Sequence, residues 1–562
     1  MVDMKKAPFY LEPQQEAWVE ETLAGMSEEE KIGQLFVPIG YSTNPEYLKK
    51  EILAYHVGGL FFRDGVGEEM RQTFAFAQSA SGIPLLIPSN LEAGGDGAAS
   101  DGTSYGKQMS VAAAGDPVYA YRLGKIACSE GAAIGVNWAF APVVDIDCNF
   151  RNPITNVRTY GDDPDRVIAN AKEYLRAANE CGVAACIKHF PGDGVDERDQ
   201  HILTSVNSLS AEKWRKSYGR IYRELIAEDA LTVMVGHIAF PAYENAKYPE
   251  HAGQIIPGSQ SRAVVTDLLR EELGFNGLVI TDASPMVGYA SAGERRVMLP
   301  QSIENGCDMI LFNLDLAEDF AFMQEGLNNG LLSRERLDDA VRRILSVKAA
   351  LRLPEKKAKG TLVPLAEGLS VLRCAQHEAW ARELADRSVT LVKDTEGNLP
   401  LSAGKTKKIL LEILGDFPSN ERVLGKVKEE LERRDFEVTV YEPEDFSSGF
   451  DNIEEFHKKY DAVLYIANIE NASNQTTSRI NWYTFYGGGN NVPWFAGEVP
   501  TVFVSVANPY HLLDVPMIKT FINAYSNNNY VLEAIVEKLT GESDFTGISP
   551  VDPFCGRKEL AY

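Results

Sequence analysis

Long apolar runs are missing from this 562-residue chain. No stretch approaches the roughly 20 consecutive apolar residues that a membrane-spanning helix needs. The segment from Met1 to Glu20 has neither an apolar core nor the small-residue cleavage site of a secretory leader. Membrane partners are therefore not expected, and residence in the cytoplasm is. Basic residues are also in short supply: 55 Lys and Arg against 80 Asp and Glu leave a formal charge of -25. Nucleic acid and anionic membranes both demand clustered positive charge, so a nucleic-acid partner is not expected. The seven cysteines, at 128, 148, 181, 186, 307, 374 and 555, are odd in number and lack metal-ligand spacing, and they read as reduced, mostly buried thiols.

What is present up to about residue 353 is one repeated rhythm: a short apolar run ending in polar residues, then a helix opened by a cap and closed by glycine. The runs are Ile32 to Gly40, Val57 to Arg63, Ile83 to Asn90, Asn137 to Asp145, Ala184 to Gly192, Leu231 to Ile238, Gly277 to Ala283, and Cys307 to Leu314. Asp116-Pro117 and Asp163-Pro164 each set a capping carboxylate before a proline at the first helical position, and Gly131 and Gly182 read as the ends of those helices. Val167, Ala171, Tyr174, Leu175 and Ala178 share one helical face suited to packing on a sheet. Eight apolar strands alternating with such helices predict a parallel (β/α)8 TIM-type barrel over residues 1–353. An open doubly wound sheet competes, and strand count alone does not exclude it. Residues 354–368, with Pro354, Pro364 and a lysine-rich stretch, have the composition of an exposed linker. Beyond it, Val389 to Lys393, Lys408 to Leu414, Phe436 to Tyr441, Ala462 to Ile466 and Thr501 to Val506 read as strands of a second, smaller α/β layered domain over 369–562.

In such a barrel the C-terminal strand ends bring together Asn90 with Glu92, Asp145, Lys188 with His189, His237, and Asp282. Polar groups converging from separate strands on one rim are the layout of an active site, although each alone could equally cap a helix or satisfy the core. The segment from Lys188 to His201 is densest in such groups. Asp199 and His201, two apart, can hydrogen-bond if the loop folds locally, so that the carboxylate orients the imidazole. Two glycines in the loop, Gly192 and Gly194, predict that His201 moves over the site and that the pair is apart without ligand. Lys188 and Arg158, if they share the rim, would hold the Asp282 carboxyl ionised. His189, His201, His237 and Asp282 could in principle bind a metal, but the first strand has no His-x-His, so neither a metal nor any other cofactor is expected. Gly487-Gly488-Gly489 lacks the Lys-Ser or Lys-Thr of a phosphate loop and reads as a surface turn.

Four stretches carry a resemblance: Met26 to Gln34, Asn152-Pro153 through Arg158-Thr159-Tyr160-Gly161-Asp162-Asp163-Pro164, Lys188-His189-Phe190-Pro191-Gly192, and Gly274 to Asp282. With these the chain resembles the family 3 glycoside hydrolases over most of its length. A histidine two residues after an aspartate, in the loop after Lys-His-Phe-Pro-Gly, is similar to the β-N-acetylglucosaminidase branch. The resemblance implies a barrel followed by an α/β sandwich and, in that branch, an acid/base supplied by an Asp-His pair. It implies Asp282 as nucleophile, His201 as proton donor and acceptor, and Asp199 as its orienting partner. Lys188, His189 and Arg158 then hold the sugar, and Glu92 takes the hydroxyl-binding role. From their places on the rim, Asn90 joins the substrate side, His237 either faces the substrate or, as favoured, hydrogen-bonds to the nucleophile's surroundings, and Asp145 is placed with it in support. The implied activity is retaining release of terminal β-linked N-acetylglucosamine from oligosaccharides or cell-wall fragments. Phosphorolysis, with inorganic phosphate as second substrate, and β-glucosidase activity are the alternatives. Three positions depart from the branch: Asn90-Leu91-Glu92 in place of an Asp-x-Glu pattern, Asp193 where histidine is usual, and Gln200 where serine is common.

Overall fold

A computed structural model describes residues 2–442, 452–482, 484–485, 488–489 and 491–562. These residues group into two compact units: 1–104 with 120–152 and 163–378, and 105–119 with 153–162 and 379–562.

The first unit is built on strands β1 (Phe36–Val37), β2 (Pro88–Ser89), β3 (Trp138–Ala139), β4 (Ala184–Phe190), β6 (Thr232–Val235), β8 (Leu278–Ala283) and β9 (Met309–Leu311), with a small side pair of β5 (Ser205–Val206) and β7 (Ile238–Ala239). The main sheet is wholly parallel, in the order β1-β9-β8-β6-β4-β3-β2. Its two edges are joined through the run at 58–61. Gly59 bridges Leu86, Phe61 bridges Ile39, and the Leu60 N–H donates to the Leu86 carbonyl at 2.9 Å. All eight apolar runs therefore contribute to one closed ring, the TIM-type barrel, and the open-sheet alternative falls away. The first run is shorter than its apolar pattern. Ser27 and Glu30 form a reciprocal capping box that draws Glu28–Gln34 into a helix, and the strand starts only at Phe36.

Around the ring, the helix Pro164–Glu180 is capped by Asp163, which accepts from the Asp165 N–H at 2.9 Å, and it buries Val167, Ala171, Tyr174, Leu175 and Ala178. Gly182, at φ 67°, ends the chain's helical path there. Gly131 does not play that part. The helix Val118–Ile134 runs through it, glycine there making room for Leu91, which a Cβ would approach to 3.1 Å, and the stop is Gly135 at φ 104°. The stretch after 353 starts as a short helix, Leu353–Ala358. At the base of the barrel Asp308, fully buried just before β9, accepts from Arg270 at 2.6 Å, Arg336 at 2.7 Å, Arg343 at 3.1 Å and the Val279 N–H at 2.9 Å. Two outer helices are thereby tied to the N-terminal ends of β8 and β9, and the catalytic rim is left at the opposite ends of the same strands.

The second unit holds β10 (Thr390–Asp394), β11 (Lys408–Leu414), β12 (Glu437–Val440), β13 (Ala462–Ala467), β14 (Thr484–Phe485), β15 (Gly488–Gly489), β16 (Thr501–Ser505) and β17 (Thr520–Asn523). The six-stranded sheet runs β10-β17-β16-β13-β11-β12, with only the β10–β17 pair antiparallel. Helices such as Asn420–Glu432 and Asn529–Thr540 accompany it, and Tyr465, Phe495, Phe503 and Phe521 fill its core, the last two rings stacked at 5.3 Å. This is the α/β sandwich. Of the Gly487–Gly489 turn, Gly487 lies outside the described residues and the other two form β15. Among the described residues no helix is long and apolar enough to cross a membrane. All seven cysteines are free; Cys128, Cys186 and Cys307 are buried, while Cys148 is exposed, so burial is less general than their composition suggests.

Candidate active site

Asp282 closes β8 at the rim of the ring and is 8% exposed. Its Oδ1 accepts from the Ala283 N–H at 2.7 Å, and its Oδ2 lies 3.9 Å from Nε2 of His189. That imidazole is held from behind. Its Nδ1 donates to Oδ2 of the fully buried Asp145 at 2.7 Å, while Oδ1 of Asp145 receives the backbone N–H groups of His189 at 3.2 Å and Asp193 at 2.7 Å. Asp145, placed by the fourth run, thus fixes which ring nitrogen His189 turns toward Asp282. Lys188 ion-pairs with Glu92 at 2.7 Å, with both side chains largely buried. Asn90, at the end of the third run, is exposed.

Burial works against ionisation of Asp282, but charge interactions with His189, His237 and His201, together with the Ala283 N–H, outweigh it and hold the carboxyl below its ordinary value. His189 is the nearest of these groups, with Nε2 3.9 Å from Oδ2. Lys188 is engaged by Glu92. Arg158 sits in the turn Asn156–Arg158, within segment 153–162 of the second unit, where it donates to the Ile154 carbonyl at 3.4 Å.

His237 is buried against the same strand. A carbonyl can only accept, so the 3.0 Å contact between Nε2 and the Ala283 carbonyl places the ring proton there; Nδ1 then accepts from the Ser259 hydroxyl at 2.8 Å. Burial holds this imidazole below its usual pKa, in keeping with a neutral ring. Ser259 was not recognisable beforehand. It lies in the short turn Gly258–Gln260, and only the fold brings it beneath His237.

The loop after β4 carries the second centre. His201 Nδ1 lies 2.7 Å from Oδ1 of Asp199, which also accepts the His201 backbone N–H at 2.9 Å. Asp199 is fully buried, while the imidazole keeps 27% of its surface exposed. Nδ1 donates to the carboxylate and Nε2 is left as the free edge. The two groups are in contact, and the straps that hold the loop are visible. Trp214 Nε1 donates to the Pro191 carbonyl at 2.7 Å, Tyr218 to the Asp193 carbonyl at 2.6 Å, Asn207 to the Gly192 carbonyl at 3.0 Å, and Asn152 to the Asp196 carbonyl at 2.9 Å. The Val287 N–H donates to the His201 carbonyl at 3.0 Å, which ties the loop to the segment following Asp282. Gly192 and Gly194 serve close approach: a Cβ at 192 would strike the Tyr218 ring at 2.1 Å, and one at 194 the Ile146 carbonyl at 1.9 Å.

One rim thus presents an ionised carboxylate, an oriented imidazole facing it, and a separate histidine with its own carboxylate. Such a set can supply a nucleophile and a proton carrier. Among the described residues no three His, Cys, Asp or Glu side chains are grouped to hold a metal ion.

Residues 27–347 match the family model for the glycosyl hydrolase family 3 N-terminal domain. The chain is 44% identical to a beta-N-acetylglucosaminidase/beta-glucosidase of Cellulomonas fimi, over 99% of each. Among solved structures it is similar to the beta-glucoside phosphorylase BglX bound to 2FGlc, with a TM-score of 0.94 and 45% identity over 98% of this chain and 99% of that one. A family 3 beta-N-acetylglucosaminidase from Paenibacillus sp. str. FPU-7 aligns with a TM-score of 0.79 and 25% identity over 94% of this chain and 99% of that one.

Proposed function

The chain belongs to glycoside hydrolase family 3, and from that membership we propose that it releases terminal β-linked N-acetylglucosamine and glucose from small oligosaccharides or cell-wall fragments, with retention, through a glycosyl-Asp282 intermediate. The observation that carries this reading is the joint geometry of an ionised Asp282 and an assembled Asp199-His201 pair in one unit. A retaining enzyme needs one group to attack C1 and another to protonate the departing oxygen. Asp282 Oδ2 forms the bond to C1 as the C1–O bond to the aglycone breaks, and His201 Nε2 gives its proton to that oxygen. In the second step an acceptor attacks C1, the bond to Asp282 breaks, and the acceptor's proton returns to His201. Asp199 holds the fixed proton on Nδ1, so the mobile proton of the imidazolium leaves from Nε2 and returns to it. Lys188, His189 and Glu92 are assigned to the sugar's side of the site, with Asn90 added by its place at a strand end and Arg158 by the resemblance.

The acceptor is the open choice between hydrolysis and phosphorolysis, and one feature favours phosphate. Having delivered its proton, His201 is neutral, whereas a carboxylate in its place would be an anion. At an effective dielectric of 20, two like charges 4 Å apart repel by about 4 kcal/mol, a penalty an incoming phosphate does not meet here. The similarity to BglX over nearly the whole chain supports the same choice. The test is turnover of aryl β-N-acetylglucosaminide and aryl β-glucoside, each with and without inorganic phosphate. The proposal expects both to be cleaved, faster with phosphate, and the glycosyl phosphate to keep the substrate's β configuration. Inert substrates would refute the glycosidase reading, and phosphate-independent release of free sugar would refute phosphate as acceptor.

A further inference from the structure

We propose that Gln200, the residue between Asp199 and His201, is the positioning residue that locks the proton-transfer loop onto the strand ends beside Asp282; this rests on the reading of that pair given above. Gln200 is 1% exposed, although it lies in a polar loop. Its side chain works in two directions. Oε1 accepts the His237 backbone N–H at 2.7 Å, and Nε2 donates to Oδ2 of Asp193 at 3.3 Å. The first bond fixes the amide's orientation, because a backbone N–H can only donate. Its carbonyl receives the Gly288 N–H at 3.2 Å, and the Thr204 hydroxyl returns a bond to the Gly288 carbonyl at 2.7 Å.

These bonds form an unbroken path. Asn152 and the Gly194 N–H donate to Asp193, Gln200 donates to Asp193 and accepts from His237, and the His237 ring donates to the Ala283 carbonyl, next to Asp282. The same residue therefore joins the loop carrying one reacting group to the strand carrying the other. A serine is too short to span both partners, since its single hydroxyl replaces an amide with separate donor and acceptor ends. Two glycines make room for the arrangement. A Cβ at Gly236 would sit 3.0 Å from Gln200 Oε1, and a Cβ at Gly288 would sit 2.4 Å from the Gln200 carbonyl and 2.7 Å from that of Leu203. A tight, two-sided clamp of this kind is what pre-orients a proton carrier, and a misplacement of about 1 Å in such a group costs on the order of a hundredfold in rate.

The test uses the full-length protein and two independent perturbations of the clamp. Gln200→Ser removes the bridging amide, and Gly288→Ala pushes the loop away from the other side without touching the Gln200 side chain. Each is measured on aryl β-glycosides spanning good to poor leaving groups, with His201→Ala as the reference, and by the low-field proton NMR signal of the Asp199-His201 hydrogen bond. The expected result is a roughly tenfold or greater fall in kcat on poor leaving groups with little change on activated ones, KM held within about twofold, and loss or broadening of the low-field signal. Gln200→Glu, which keeps the acceptor for the His237 N–H, is expected to recover part of the signal. An equal loss on all substrates, or an unchanged signal in both folded variants, overturns the role of Gln200. If instead His201→Ala shows no leaving-group dependence, the proton-transfer reading itself fails, while the NMR signal still reports whether Gln200 orders the pair.

Discussion

Asp193 offers a prediction whose size follows from the structure. Its carboxyl is 2% exposed, and burial, followed by the neighbouring Asp145 charge, pushes its pKa up to about 8 from an ordinary 3.8; Asp199 adds to the rise, and the Gly194 N–H and Asn152 oppose it. A carboxyl that stays protonated when folded but ionises when unfolded makes the native state the greater proton binder between those values. Stability must then fall as pH rises from about 4 toward 8 and stop changing on this account above it. At 1.36 kcal/mol per pH unit, the loss between pH 5 and pH 8 reaches about 4 kcal/mol. Asp193→Asn removes the titration while keeping the shape of the neutral group. The variant should therefore gain about 4 kcal/mol relative to the wild type between pH 5 and pH 8, whatever its fixed offset. Because two units make a single global transition unsafe, the measurement is amide hydrogen exchange of β4 and β8, which reports the barrel alone. A stability difference that stays constant within about 1 kcal/mol across that range would refute the reasoning.

Other outcomes follow from the same geometry. Asp282→Ala should abolish turnover while leaving the barrel folded, as judged by circular dichroism; near-normal rates would remove it as nucleophile. In His201→Ala, activated aryl glycosides should be spared relative to poor leaving groups, because a departing group that needs little protonation does not miss the imidazole. At the base, Asp308→Ala should destabilise the barrel by about 3–5 kcal/mol, since it removes the carboxylate that three arginine side chains share and leaves Asp339 to pair only with Arg336 and Arg343, and amide hydrogen exchange of β4 and β8 should show Asp308→Asn to be milder. A cost under about 1 kcal/mol for the alanine variant would mean the network is dispensable.

Much of the barrel was legible because parallel strands buried on both faces leave continuous apolar runs, and β4 and β8 are nearly apolar until their last residues. The second run was legible as apolar but forms only isolated bridges at Gly59 and Phe61, so its place as the closing segment came from the fold. β17 escaped notice: four residues, Thr-Phe-Ile-Asn, carry too little pattern, and the strand is recognisable only from its pairing with β16 and β10. In the site, the spacing of Asp199 and His201 was readable, but their assembly was not, because it depends on Asn152, Trp214, Tyr218 and Val287 arriving from elsewhere in the chain. The same holds for the groups that tune Asp282. Lys188 looked the natural counter-ion by charge and pairs with Glu92, while the influence of His189, His237 and His201 on the carboxylate follows from segments that only the fold brings together.

The most direct measurement is covalent trapping. A 2-deoxy-2-fluoro-β-glucoside with an activated leaving group slows the second step, so that peptide mass spectrometry can locate the sugar. The account predicts a single adduct on the peptide containing Asp282 and faster reactivation of the trapped protein by inorganic phosphate than by water. A label on any other residue, or steady turnover with no adduct formed, would contradict it.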